Sequence, residues 1–394
     1  MTDALIIDTA RTPRARVRRE GGSLAHLPSA DLLAVVLRAL VDRGLTPEDV
    51  GDVIIGVSTA VGEQGGDVAR VAAMAAGLPD RVPGGVVSRL CCSGLDAVVS
   101  GAARVRAGMA QLIVAGGVES MSRVPMLADR PAFAFDAEVG DATGFTPLGV
   151  AADATAMRAG IERPELDAWG LRSQQRSAAA PAWESIVPLL SASGTMLAHD
   201  EGARPDTTLE SLAALPPLSA DDPLWSRADA RLCTSADEDR GRHTIGTAPG
   251  LADAAAGIVI ASEAWASDHG REARGRIIGA AQAAVRSPGL DATVPACHAA
   301  LAQAGIAASE LALVEVNESF AVTPILLRKE LGLADEIVNP CGGAIAVGHP
   351  LGASGGILIA NAVDQLRRTG GGYALVTVPA ALGLATAVVI EVFA

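Results

Sequence analysis

Apolar residues recur along the chain in two rhythms. Short aliphatic runs at 5–7, 53–57 and 111–115, and again at 277–281, 313–316 and 374–378, read as buried strands. Stretches with helical spacing lie between them: 29–44, opened by Ser29 and closed by Gly44; 93–106, closed at Gly108; and 353–368. Thr46-Pro47 starts a short capped helix ahead of the run at 53–57. The alternation predicts an α/β fold in which helices cover strands. It also repeats. Ser93-Gly94 opens a helix that leads to the strand at Leu112, and Ser354-Gly355 opens one that leads to the strand at Ala374, at offsets of 261 and 262 residues. Two homologous halves are the expectation.

Between the halves the texture changes. From about 119 to 250 the chain is rich in Pro, Asp and Arg, as at 200–208 and 236–242, with a helix expected over 165–179. This reads as an inserted, loop-rich subdomain, of the kind that builds a substrate pocket. Composition narrows the function. The 394 residues carry a formal charge of −14, 49% hydrophobic but only 3% aromatic residues, and five cysteines. A strongly acidic chain is a poor partner for nucleic acid. No uninterrupted apolar run is long enough to span a membrane. The bases near the N-terminus follow the apolar stretch, the reverse of a secretory signal. An odd number of cysteines, two of them adjacent, is no disulfide framework. These features point to a reduced, cytoplasmic protein.

Chemistry concentrates at three places. Cys91 follows the extended segment 85–89 and sits at a helix start, where free N–H groups stabilise a thiolate and hold an oxyanion; the plain alternative is a buried core cysteine. His349 lies in the glycine-rich loop 342–356 just before a helix, placed to draw a proton from a thiol. Asn317 and Glu318 follow the strand at 313–316, at the end where open α/β sheets hold ligands. Cys92, Cys233, Cys297 and Cys341 carry weaker claims, Cys341 through its place in the same loop as His349. No His/Cys cluster has metal-ligand spacing, and no phosphate-binding glycine motif points to a nucleotide cofactor.

Six ordered segments resemble the thiolase family: Asp8-Thr-Ala-Arg-Thr-Pro13, Val87-Ser-Arg-Leu-Cys-Cys-Ser-Gly-Leu95, Gly116-Gly-Val-Glu-Ser-Met-Ser122, Arg204-Pro-Asp-Thr-Thr-Leu-Glu210, Asn317-Glu-Ser-Phe-Ala321 and Gly343-Ala-Ile-Ala-Val-Gly-His-Pro350. The resemblance implies a thiolase fold of two duplicated βαβαβαββ halves in a five-layer αβαβα core, with a first part at 1–118, an inserted loop domain at 119–250 and a second half at 251–394. It implies an acyltransferase that takes acyl-coenzyme A, uses no cofactor besides CoA as substrate and product, and forms a homodimer or homotetramer. Cys91 would be the acylated nucleophile and His349 its base. Asn317 would hold a thioester oxygen through a water, and the amides of Cys91 and Ala381 would form the oxyanion site.

The resemblance also shows departures. The family's second cysteine, which moves a proton at the α-carbon of the second acyl-CoA, aligns with Pro379, and the glycine after it with Ala381. Ala248-Pro249-Gly250 replaces a hydroxyl-bearing stretch beside the pantetheine arm, and 147–149 replaces a His-Met-Gly segment. Arg227, Arg231, Arg240 and Arg242 are the cations expected to meet the CoA phosphates. Two other outcomes stand beside thiolysis or condensation: an acyl-CoA hydrolase or other acyl transfer, and a non-catalytic acyl-CoA-binding subunit.

Overall fold

The computed structural model describes residues 3–19, 21–232 and 240–394, so Cys233 and part of the 236–242 cluster lie outside the described residues. Nine strands carry the architecture: β1 (Ala4–Arg11), β2 (Asp52–Gly56), β3 (Gly85–Val87), β4 (Leu112–Ser120), β5 (Ala252–Ser262), β6 (Gly275–Ala284), β7 (Leu311–Val316), β8 (Gly372–Ala380) and β9 (Leu384–Val392). They run in the order β7-β8-β9-β6-β1-β5-β4-β2-β3. The first half supplies β3-β2-β4-β5-β1 and the second β7-β8-β9-β6, and the two join edge to edge where Ile6 pairs with Gly275. Strand for strand the order repeats, β2 matching β7, β4 matching β8, β5 matching β9 and β1 matching β6. Even the β2–β3 pairing has a counterpart in the bridge between Val314 and Val338.

The match places the insertion. In the second half β8 turns directly into β9 through Ala381–Gly383, whereas in the first half the equivalent β4 and β5 are separated by the whole of 121–251. The expected boundary at 251 therefore moves. β5 follows the insertion in sequence, yet it pairs on both sides with first-half strands, β4 and β1. Its first six residues, 252–257, are Ala-rich and carry no β-branched side chain, the run being confined to Ile258, Val259 and Ile260, and pairing on both edges overrides the weak local preference of that first part.

The helices complete the layers. α1 (Ser29–Asp42) packs Leu32, Leu33, Val36, Leu37 and Leu40 on the outer face of the first half. α2 (Ser93–Arg106) and α8 (Ser354–Thr369) share one core between the halves, Leu95, Val98 and Val105 beside Leu358, Ile359 and Val363. α3 (Leu148–Arg158), α4 (Arg163–Ala178) and α5 (Trp225–Leu232) lie in the insertion. α6 (Thr293–Ala304) and α7 (Val322–Glu330) cover the outer face of the second half. Ser29 differs from expectation: the chain enters α1 at Pro28, and the Ser29 hydroxyl donates to Glu63 at 3.0 Å instead of capping the helix. Among the described residues no helix is long and apolar enough to cross a membrane.

Candidate active site

α2 and α8 cross where neither has a side chain. A Cβ on Gly94 would come within 2.3 Å of the Gly352 carbonyl oxygen, and one on Gly355 within 2.2 Å of the Leu95 nitrogen. Only glycine permits that approach, and it brings together the two helix starts that carry Cys91 and His349.

Cys91 sits on an elbow ahead of α2. Leu90 takes the left-handed conformation at φ 51°, and the Ser93 hydroxyl holds the turn, accepting from the Arg89 amide at 2.9 Å and donating to the Leu90 carbonyl at 2.5 Å. The amides of Ala381 and of Cys91 itself point at the sulfur, the pair expected for an oxyanion site. The thiol is nonetheless pushed up to about 12, chiefly by burial and further by the charge of Glu119. A helix start alone predicts a thiolate; at 4% exposure the lost hydration outweighs the two amides. Glu119 is anchored there by amides from both halves, Ser58 and Gly352, each at 2.8 Å.

His349 enters from the second half. Its amide donates to the Gly250 carbonyl at 2.8 Å, which ties the glycine-rich loop to the end of the insertion. The Ser354 hydroxyl lies 2.7 Å from His349 Nδ1 and 3.2 Å from the Pro350 carbonyl; the Asn317 side-chain N–H donates to Nε2, so Nε2 is the accepting nitrogen and Nδ1 carries the ring proton. Nε2 is left with a lone pair, 3.2 Å from the amide nitrogen of Asn317. Burial, helped by the charge of Arg14, lowers the imidazole to about 3, so the ring is neutral. The imidazole is thus buried and neutral, with Nε2 as its accepting nitrogen.

Asn317 follows β7 and donates to the Ser319 hydroxyl at 2.9 Å; that hydroxyl in turn donates to the Pro379 carbonyl at 3.4 Å. The hairpin stretch 379–381 is therefore the meeting point, contacted by Ser319 of the Asn317 group at one end and by Cys91 at the other. Pro379 has no backbone N–H and no acidic side-chain proton. Glu318 is engaged as a strut: it accepts from Trp169 at 2.8 Å, Ser173 at 2.6 Å and the Ile345 amide at 3.0 Å.

Among the described residues the other three cysteines are engaged differently. Cys92 donates to the Val378 carbonyl at 3.0 Å, and Cys297 is buried on α6 beside Thr377, pushed up to about 12. Cys341 lies in a separate cavity with Arg14 and Asp200, its thiol raised to about 11 by burial.

Two larger openings draw their walls from the insertion. One, of about 370 Å³, has Cys91 and Ala381 on its wall together with residues of the insertion. The other, of about 480 Å³, is lined by Arg16, Arg204, Thr207 and Ser211 beside Ile245 and Gly246. Gly250 reaches the same arginine: a Cβ there would meet the Arg16 guanidinium at 3.0 Å. The four arginines singled out in the sequence are engaged elsewhere. Arg227 pairs with Asp141 and donates to the Phe145 carbonyl at 2.6 Å, and Arg231 donates to the Ser287 and Ala142 carbonyls. Arg240 pairs with Asp229 over the Trp225 ring, and Arg242 is buried against the Ile161 carbonyl. Arg16 and Arg204 were open to discovery in sequence, the first in the basic cluster at 14–19 and the second inside a quoted motif.

Two family models match the chain, "Thiolase, N-terminal domain" over residues 4–222 and "Thiolase, C-terminal domain" over 272–392. Among curated proteins, the 3-oxoadipyl-CoA/3-oxo-5,6-dehydrosuberyl-CoA thiolase of Escherichia coli is 39% identical, covering 99% of this chain and 100% of the relative. A steroid 3-ketoacyl-CoA thiolase of Mycobacterium tuberculosis is 34% identical over 99% of this chain and 94% of the relative. The solved structure of human mitochondrial 3-ketoacyl-CoA thiolase superposes with a TM-score of 0.87 at 31% identity, covering 100% of this chain and 99% of that one. The same human enzyme in complex with CoA gives 0.84 at 30% identity, over 99% and 98%. The repeated halves, the crossing of α2 and α8 and these matches along the chain make it a member of the thiolase family, a thiolase-like acyltransferase.

Proposed function

We propose that this chain transfers acyl groups through an acyl-Cys91 thioester, with acyl-CoA as donor. The observation that carries the reading is the close crossing of the two helix starts that carry a buried Cys91 sulfur, faced by the amides of Ala381 and Cys91, and a neutral His349 whose Nε2 is unprotonated. Because thiol and imidazole both rest neutral, the proton passes from Cys91 to His349 as the sulfur attacks the thioester carbonyl. The two amides take up the oxyanion. Collapse expels the CoA sulfur, which recovers the proton from His349.

The second half of the reaction separates by the acid strength of the acceptor. A CoA thiol needs one base, and His349 supplies it. Condensation must also remove a proton from carbon, and Pro379 offers no group for that. Losing one positioned acid/base costs about 10²–10⁴-fold, so transfer between sulfurs is retained and condensation is slow. Asn317 holds the second thioester oxygen through a water. Ala248, Pro249 and Gly250 border the pantetheine arm, and Arg16 and Arg204 meet the CoA phosphates, while Arg227 positions the wall segments at Asp141 and Phe145. The working form is a cytoplasmic homodimer or homotetramer.

The test is intact mass after mixing the pure protein with acyl-CoAs. The expected result is one acyl adduct, absent in Cys91→Ala, that CoA discharges and water alone does not. Discharge by water alone would make the chain a hydrolase, and no adduct with any donor would make it a binding subunit. Pro379→Cys should raise condensation by about 100-fold or more, the lower bound for one positioned acid/base. An unchanged rate in a folded variant would remove Pro379 from the second cysteine's place.

A further inference from the structure

Building on the acyl-Cys91 reading, we propose that the acyl group accepted here is apolar and uncharged, an alkyl or aryl chain of medium length, and that ω-carboxylated acyl groups are rejected. The chain contains only five phenylalanines, and three of them, Phe133, Phe135 and Phe145, line the cavity of about 370 Å³ that has Cys91 on its wall. Phe133 and Phe145 touch with ring centroids 4.9 Å apart, and Arg227 fixes that wall by donating to the Phe145 carbonyl. All three belong to the insertion, which the second half replaces by a tight turn, so the pocket is an addition to the repeated scaffold.

Two features of this cavity point to its occupant. Among the described residues Phe135 is 52% exposed, with only the Arg130 guanidinium over its ring, and Met126 is 43% exposed, so large apolar surface is left open. An alkyl chain leaving Cys91 into the cavity would cover it. At about 30 Å³ for a water-sized group, the space holds on the order of ten heavy atoms, which suits a chain of roughly eight carbons. The charged side chain on its wall is Asp129. A terminal carboxylate carried inside would lose its water and meet a like charge. Arg130 is turned to a different use, its guanidinium stacked 4.8 Å from the Phe135 ring centre.

The experiment compares acetyl-, octanoyl-, adipoyl- and suberoyl-CoA, the last having the length of octanoyl with a terminal carboxylate. Each is measured twice: as the second-order rate of Cys91 acylation by intact mass, and as affinity for Cys91→Ser by calorimetry. Each buried methylene is worth about 4-fold, so octanoyl should exceed acetyl by about 100-fold or more in rate. Suberoyl should fall about 30-fold or more below octanoyl in both measurements, given the cost of burying a charge. Asp129→Asn should narrow the gap between suberoyl and octanoyl by about 5-fold, by removing the like charge. Adipoyl or suberoyl binding as tightly as octanoyl overturns the proposal, with Arg130 then the group that receives the carboxylate. If no donor acylates the wild type but Cys91→Ser still separates octanoyl- from suberoyl-CoA, the pocket assignment stands and the acyl-enzyme reading falls.

Discussion

The start of α2 and the start of α8 are one device used for two purposes. Each opens with Ser-Gly, and each serine hydroxyl donates back to a carbonyl of the preceding turn, Ser93 to Leu90 at 2.5 Å and Ser354 to Pro350 at 3.2 Å. They diverge in what the hydroxyl accepts. Ser93 receives the Arg89 amide and so fixes the strained elbow that aims Cys91. Ser354 receives the imidazole of His349 and so fixes which ring nitrogen carries the proton. Duplication supplied two equivalent helix starts that cross closely, and in the proposed reaction a single polar contact at each steadies the nucleophile at one and the base at the other.

The comparison breaks most completely at the crossing itself. Gly355→Ala drives a methyl group to 2.2 Å from the backbone nitrogen of Leu95, and backbone cannot yield as a side-chain tip does. Overpacking typically costs about 1–3 kcal/mol and occasionally more; at this site we expect about 3 kcal/mol or more, read from the urea midpoint, together with loss of acylation. Gly94→Ala, blocked by the Gly352 oxygen at 2.3 Å, should behave alike. A loss under about 1 kcal/mol in both variants would mean the helices part easily, and the crossing would not be what holds Cys91 and His349 together.

Much of this arrangement is legible in the sequence. The aliphatic runs mark six of the strands, and the recurring Ser-Gly at an offset of 261 marks the repeat. Cys91, His349 and Asn317 stand out because each follows a strand or opens a helix, positions that the fold brings to one end. What escapes is what depends on depth and distant partners. β5 reads as an Ala-rich stretch until both of its edges are paired. The Cys91 thiol is expected as a thiolate from its helix start, and only its burial reverses that. Arg227 and Arg240 look like free cations until Asp141 and Asp229 are found beside them. The phenylalanine cluster was countable in advance, but nothing local connects 133–145 to a cysteine some forty residues earlier.

Ionisation and tautomer can be separated at α8. His349 lies at about 3 in the folded chain, against about 6.5 when unfolded. Between those pH values the unfolded chain binds a proton that the folded one refuses. Stability therefore falls as pH drops from about 6.5 toward 3, by up to about 1.4 kcal/mol per unit, and His349 adds no slope above that window. His349→Asn should lose this part of the slope. Ser354→Ala leaves burial and Arg14, the two causes of the shift, in place, so the slope should remain. What it removes is the acceptor for Nδ1–H, and the ring is then free to carry its proton on Nε2 instead. The rate of acylation should fall about 10- to 100-fold, below the full contribution of a general base. If slope and rate change together, Ser354 acts on charge and not on tautomer.

The smallest effect is the one that most sharply divides the two serines. Ser93→Ala removes a hydrogen bond to the Arg89 amide and another to the Leu90 carbonyl, both in partly buried surroundings. Two modest bonds lost from a turn that already holds Leu90 at positive φ should cost about 2 kcal/mol in the urea midpoint. No imidazole touches this hydroxyl, so the acid slope should be that of the wild type. Acylation should fall by no more than about 3-fold, because the amides of Cys91 and Ala381 still face the sulfur and each net bond is worth about 1 kcal/mol. The outcome that matters is the pair of numbers taken together. Stability lost at Ser93 with the rate nearly kept, and rate lost at Ser354, is what a shared scaffold with divided chemistry requires. Equal rate losses at both would mean that each serine simply steadies its helix start, and the division of labour would have to be sought in Cys91 and His349 alone.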